Sequence, residues 1–296
     1  MPKLPGMSYD LILGDYAYSS WSLRGWLLFE RFGIARTTKM VSFKAGGVPE
    51  QMPDWAPAKT VPAMRTTDGA VVGDSLAMAE ELASRHPDLG LWPDDPKARA
   101  IARALTAEMH SGFGALRADC PMNVRLAYQG VELRPEVETD LRRLELIWDH
   151  ARAACQPKGL WLCGDYSIAD AFYAPVAARI AGYGLQVSHS AQAYVAAHLA
   201  DPAFRRWRAM GLVHGPDLER YAMPHVLTGW PGPVPLPARA VDSGTPENTA
   251  CPYSGKPPTH MMETQSRIFG FCNPFCRDKT VADPEAWPDF MALLAD

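Results

Sequence analysis

Ser19 and Ser20 stand where a short apolar run, residues 9–14, hands over to an amphipathic stretch, residues 20–32. With the run as a strand and the stretch as a helix, both hydroxyls fall at the helix N-terminus. Free backbone N–H groups and the helix dipole favour an anion at that place, so a hydroxyl and the helix end together can hold a substrate thiolate. Lowering a thiol from a pKa of about 8.5 to about 6.5 takes roughly 2.7 kcal/mol of preferential stabilisation of the anion. A hydrogen bond to a charged group contributes about 1.5–3 kcal/mol, so one hydroxyl plus a dipole suffices. A serine here also has a plain structural use, as the N-cap that satisfies an orphan N–H.

Other residues could serve the same chemistry. Val61-Pro62 opens a run of strand character, and a proline at a strand's start is where a cis bond can leave the preceding backbone free to clasp a peptide ligand. Asp74-Ser75 opens a further helix. Its carboxylate and hydroxyl can cap that helix, or they can receive an ammonium and a carboxylate from a ligand. His110, Arg117 and Arg125 interrupt an otherwise apolar helical region and suit an anionic or carbonyl-bearing substrate, with a solvated helix face as the equal structural reading. Glycines at 112 and 114 cost about 1 kcal/mol each relative to alanine inside a helix, so a packing benefit is expected there.

Such groups need elements to position them. Residues 9–14 and 37–42 read as strands around a helix over 20–32; residues 61–65 and 70–73 read as a hairpin because Thr66, Thr67, Asp68 and Gly69 supply turn chemistry. A helix over 75–85 ends at Pro87. This order, βαβ then ββα, is that of a thioredoxin-like domain. Beyond a linker with Pro93, Asp94, Asp95 and Pro96 the apolar spacing is helical for more than a hundred residues. Pro135 opens one long helix, with Val137, Leu141, Leu144, Ile147 and Trp148 on one face, and Ser167 with Asp170 forms a capping box for another. Trp148, Phe172 and Tyr173 could wall a pocket, though residues of these types more often fill a core. The predicted fold class is α/β plus all-α, with domains over 8–86 and 95–214, a Pro/Gly-rich linker over 215–248 and a small cysteine module over 249–296.

The linker contains Trp230-Pro231-Gly232-Pro233-Val234-Pro235, a run that cannot sustain helix or pair centrally in a sheet. The module that follows has too little apolar area for a self-sufficient core. It places Cys251, Cys272 and Cys276 within thirty residues, and zinc bound by thiolates is a standard staple, with His260 able to complete a tetrahedron. The simpler reading is three buried small hydrophobes.

Composition excludes some classes. A net charge of -4 gives no reason for a polyanionic partner, so nucleic acid is excluded, and 47% apolar with 21% charged residues are globular proportions. No segment has the length of a membrane span, and the start lacks an export core. With no export signal, six cysteines are expected to be reduced thiols in a cytoplasmic protein.

Taken together, Ser19-Ser20-Trp21-Ser22, Val61-Pro62, Asp74-Ser75 and Ser167-Ile168-Ala169-Asp170 resemble, in order and spacing, the landmarks of the glutathione transferase family. The serine motif is similar to that of its serine-type, zeta-like members, and the resemblance runs from Tyr9 to about Gly211. It implies a thioredoxin-like domain that binds glutathione and a helical domain that holds a small electrophile. It further implies that Ser19, with Ser20 as the alternative, donates to the glutathione sulfur, and that Val61 pairs its backbone with the cysteinyl part beside Pro62. Asp74 and Ser75 would then bind the γ-glutamyl end, and Lys59 a carboxylate. A homodimer is implied as well. Trp21 departs from the cysteine of zeta-type members, and Asp74 from a commoner glutamate or glutamine. The cysteine pattern resembles the small heavy-metal-associated modules called YHS or TRASH domains, with Ser254 where a fourth cysteine often stands. The function expected is therefore a glutathione transferase, adding glutathione to an electrophile or isomerising one. The alternative is a non-catalytic binding or metal-sensing protein.

Overall fold

The computed structural model describes residues 8–295. The reading of residues 1–7 as lacking an export leader and the last residue of the cysteine module lie outside them.

Tyr9–Leu13 forms β1, a strand with Tyr9, Leu11, Ile12 and Leu13 fully buried. Burial on both faces is what a sheet covered on each side requires. Helix α1 (Ser20–Glu30) follows, then β2 (Arg36–Met40), β3 (Ala63–Arg65), β4 (Val71–Val72) and helix α2 (Ser75–Arg85). The sheet order is β2-β1-β3-β4, with β2 parallel to β1 and the others antiparallel. This is the thioredoxin-like arrangement, and it delivers the N-termini of α1 and α2 to one edge of the domain. The predicted strand over 70–73 shrinks to two residues, because Gly73 and the Asp74 cap already belong to the turn into α2.

The helical domain begins with α3 (Pro96–Ser111) and α4 (Gly114–Asp119). Between them Gly112 ends α3, where a Cβ would come within 2.7 Å of the Glu108 carbonyl, and Phe113 takes a left-handed φ of 58°. The interrupted stretch is thus two helices and not one bent helix. The packing benefit expected at both glycines is present at Gly112 and absent at Gly114, whose Cβ would meet open space. A short strand β5 (Ala127–Gln129) precedes α5 (Pro135–Cys155), whose buried face carries Val137, Leu141, Leu144, Ile147 and Trp148. Next comes α6 (Ile168–Gly182), nearly all of it buried, with the Ser167–Asp170 capping box at its start. Helices α7 (His189–Ala200) and α8 (Pro202–Val213) complete the domain.

The Pro/Gly-rich segment lies on the body and is partly structured. Strand β6 (Val226–Thr228) pairs with β5, and β7 (Ala238–Val241) is an outer strand of a second antiparallel sheet with β8 (His260–Thr264) and β9 (Arg267–Phe271). The third sheet therefore starts inside the segment expected to be linker. Strands with prolines nearby are confined to edges, and both β6 and β7 are edges. Helices α9 (Pro274–Ala282) and α10 (Pro288–Ala295) close the chain, and Phe269, Phe271 and Phe290 join the main core. Among the described residues no helix is long and apolar enough to cross a membrane.

Candidate functional site

A cavity of about 1020 Å³ opens between the thioredoxin-like sheet and the helical domain. Ser19, Ser20, Lys59, Val61, Pro62, Asp74, Ser75, His110 and Arg117, all singled out from sequence, line it. Arg125 does not.

Ser19 is the N-cap of α1. Its Oγ accepts from the Ser22 amide at 3.2 Å and donates to Ser22 Oγ at 2.8 Å, while that oxygen accepts from the Gly14 amide at 2.9 Å. Ser20, the first helical residue, has an Oγ that accepts from Arg179 at 3.3 Å, which leaves its own proton for another acceptor. Two hydroxyls and a helix N-terminus thus converge on the cavity. Val61–Pro62 is cis.

At the other helix start, Asp74 caps α2 with one oxygen, accepting from Leu76 and Ala77 at 2.8 and 3.0 Å. Its second oxygen lies 3.2 Å from His110 Nε2, tying α3 to the sheet domain. The buried Ser75 hydroxyl has no partner among the described residues. A buried hydroxyl without a partner at a helix N-terminus is ready to donate to a ligand carboxylate.

Positive charge gathers where α1 meets the helical domain. Arg24 and Arg117 stack on the Trp21 ring at 4.5 and 4.8 Å, and Arg24 also faces Phe172 at 5.2 Å. Arg24 is buried, and its Nε and Nη1 have no acceptor among the described residues. Burial, with Arg179 and Arg117 nearby, pushes its pKa down to about 9, and burial with Arg117 pushes Arg179 to about 10. Burial lowers Arg117 as well. Guanidinium groups keep their charge in proteins, so Arg117 and Arg179, which line the cavity, would attract an anion placed in it. Arg179 was not singled out from sequence, yet its signal was present, since an arginine in the otherwise apolar turns of residues 168–182 must find a purpose when buried.

Arg125 has a different task. Its guanidinium donates to the carbonyls of Gly211, His214 and Gly215 at 2.7–2.8 Å and to Asp217 at 2.6 Å. It thereby pins the chain leaving α8, which then crosses the cavity mouth: Tyr221 stacks on Tyr18 with centroids 4.6 Å apart, and the Tyr18 hydroxyl accepts from the Leu218 amide at 3.0 Å. Assignment of Arg125 to the substrate pocket is corrected on this ground. Trp148, Phe172 and Tyr173 are core residues, with Tyr173 donating to the Leu105 carbonyl at 3.0 Å.

Residues 18–85 match the family described as glutathione S-transferase, N-terminal domain. The fold is that of a glutathione transferase. A probable maleylacetoacetate isomerase of Caenorhabditis elegans is 33% identical over 105 residues, covering 36% of this chain and 49% of that protein. The maleylacetoacetate isomerase of Rattus norvegicus is 41% identical over 61 residues, covering 21% of this chain and 28% of that protein. The chain thus spans about half the length, or less, of these curated relatives. A glutathione transferase homolog from Burkholderia with bound glutathione superposes with a TM-score of 0.52 at 21% identity, over 68% of this chain and 96% of that one. Glutathione transferase Omega 3C of Trametes versicolor gives 0.53 at 19%, over 74% and 94%. The likeness to these solved structures is one of fold.

The cysteine module places Cys251, Cys272 and Cys276 together, with the three sulfurs within 4.8 Å of one another. His260 is not part of this cluster; its Nδ1 lies 2.9 Å from Thr259 Oγ1. None of the six cysteines is in a disulfide.

Proposed function

We propose that this chain is a glutathione transferase-type enzyme. Residues 8–86 bind glutathione, residues 95–214 hold a small anionic electrophile, and the thiolate formed at the α1 N-terminus adds to that electrophile or isomerises it through reversible addition. Ser19, with Ser20 as the alternative, donates to the thiolate, Val61 offers backbone to the cysteinyl unit, Asp74 and Ser75 take the γ-glutamyl ammonium and carboxylate, and Lys59 takes the glycyl carboxylate. Arg117 and Arg179 attract the negative groups of the second substrate, with His110 beside them. Holding thiolate and electrophile in one cleft replaces an encounter in solution by an oriented contact. The chain would act in the cytoplasm as a homodimer.

The observation that carries this reading is one cavity lined by both serines, by Arg117 and Arg179, and by the Ser75 hydroxyl, which has no partner among the described residues. The relatives named for maleylacetoacetate isomerisation, whose substrate is anionic, agree with it. The experiment is calorimetric titration of the full chain with glutathione, in wild type and Ser75→Ala, beside turnover of a carboxylate-bearing and a neutral electrophile. Saturable binding weakened in the variant and preference for the charged electrophile support the reading. Absence of binding overturns it.

The second reading, a non-catalytic metal-responsive protein built on this fold, draws on the clustered thiols. Glutathione binding without turnover of either electrophile, together with metal uptake, would favour it.

A further inference from the structure

Beyond α8 the chain leaves the helical domain and turns back over the cavity. This stretch falls in the Pro/Gly-rich part of the sequence, past the residues that carry the family resemblance. Its single 3₁₀ turn, Glu219–Tyr221, delivers Tyr221 to the cavity lining.

Several bonds fix where that side chain stands. The Tyr221 amide donates to the Leu218 carbonyl at 2.9 Å, and the Tyr221 carbonyl accepts from Asn123 Nδ2 at 3.1 Å. Two residues on, the Met223 amide donates to the Tyr128 hydroxyl at 3.0 Å. The ring lies on that of Tyr18 with the planes 22° apart, and the Arg220 guanidinium stands 5.3 Å from its centre. A ring held in this way has little freedom left to lose when a ligand meets it.

The two hydroxyls of the stacked pair have different fates. That of Tyr18 is spent on the chain, accepting from the Leu218 amide and donating to the Pro216 carbonyl at 3.4 Å. That of Tyr221 has no hydrogen-bond partner among the described residues. A phenol with an unused O–H in a substrate cavity suits an acceptor on the ligand. Its position is informative too, because Tyr18 immediately precedes Ser19, the N-cap of α1. Arg179, which reaches Ser20 Oγ at 3.3 Å, is also near enough to Tyr221 for their charges to interact. Donor and cation both line the cavity, so an oxygen that gains negative charge there meets both.

We propose that Tyr221 is a catalytic residue: its hydroxyl donates to the carbonyl oxygen of a conjugated electrophile while the glutathione thiolate adds to the neighbouring carbon–carbon double bond. The proposal rests on the glutathione reading above. The sulfur bonds to the carbon β to the carbonyl, the double-bond pair moves toward the carbonyl carbon, and the carbonyl pair moves onto oxygen. The resulting enolate carries its charge on the oxygen that Tyr221 donates to. When the pair returns, the α-carbon takes a proton from water. The thiol has already given its own proton to solvent, so no oxidant or reductant enters. A donor aimed at the oxygen that gains charge stabilises the transition state more than the substrate.

The test compares the full chain with its Tyr221→Phe variant, which keeps the stacked ring, on two carboxylate-bearing electrophiles with glutathione in excess. One is 3-benzoylacrylate, whose ketone oxygen takes charge as sulfur adds. The other is 4-(chloromethyl)benzoate, where the charge leaves with chloride. Expected in the variant are a kcat lowered at least about tenfold with the first, an unchanged kcat with the second, and wild-type glutathione affinity. Near-ultraviolet circular dichroism checks that the variant is folded. Equal rates of the two proteins with 3-benzoylacrylate would overturn the proposal, and so would equal losses with both electrophiles, which mark Tyr221 as a wall only. Either result leaves the glutathione reading standing. Failure of wild type to bind glutathione would overturn that reading and this proposal with it.

Discussion

Arg179, on helix α6 of the helical domain, donates to the hydroxyl of Ser20 at the start of helix α1 across 3.3 Å. The bond joins the two domains at the point where a thiolate would sit, and it brings a buried cation to a helix N-terminus. The charge of Arg179 and the dipole of α1 act on an anion in the same sense.

Removing that cation while keeping bulk, in Arg179→Met, is expected to raise the pKa of enzyme-bound glutathione by about one unit, equivalent to about 1.4 kcal/mol. Thiolate absorbance across a pH series measures it. Affinity for a carboxylate-bearing electrophile is expected to fall in the same variant, while Arg179→Lys recovers part of both.

Arg125 works on architecture. Its bonds to Gly211, His214, Gly215 and Asp217 fix the segment that carries Tyr221 over the cavity mouth. Arg125→Ala is expected to cost about 1–3 kcal/mol of stability, since the buried Gly211 and half-buried His214 carbonyls lose their donor. Limited proteolysis should then cut within residues 214–223, where wild type resists.

His198 is fully buried between Trp161 and Tyr194, and burial first, then the nearby Arg31 charge, pushes its pKa down to about 3. The native state keeps this imidazole neutral while the unfolded chain protonates it near its ordinary value of 6.5. Between those values the unfolded state binds more protons, so stability is complete above 6.5 and declines as pH falls toward 3. The slope contributed is at most about 1.4 kcal/mol per pH unit. Urea midpoints at pH 7 and pH 5 should differ less in His198→Gln than in wild type.

Asp170 accepts from the Ser167 amide and hydroxyl, the Leu162 amide and the Tyr194 hydroxyl, all within a buried site. Asp170→Ala strands these donors and is expected to lower stability by about 3 kcal/mol or more, read as a shift in urea midpoint at constant slope.

Much of this fold was legible from punctuation in the chain. Ser19, Asp74, Ser167 with Asp170, and Pro135 mark helix starts because each satisfies or dispenses with an orphan backbone N–H, a requirement local enough to be read from sequence. What stayed hidden depends on contacts between distant segments. Arg125 and Arg117 are alike as residues, yet one faces the cavity and the other holds the chain 86–92 positions further on. Pairing of β7 with β8 lay inside a proline-rich stretch because its neighbours, and not its own residues, make it a strand. His260 is close in sequence to the thiols, but β8 carries it away from them.

The central claim is that the α1 N-terminus holds a thiolate with help from its serine hydroxyls. Titration of thiolate absorbance with glutathione, in wild type, Ser19→Ala, Ser20→Ala and the double variant, tests it most directly. The account expects a bound thiol ionised well below its free value in wild type, with ionisation shifted upward by one to two units, about 1.4–2.7 kcal/mol, in at least one single variant and most in the double variant. A double variant that binds glutathione and ionises it as wild type does would contradict the account.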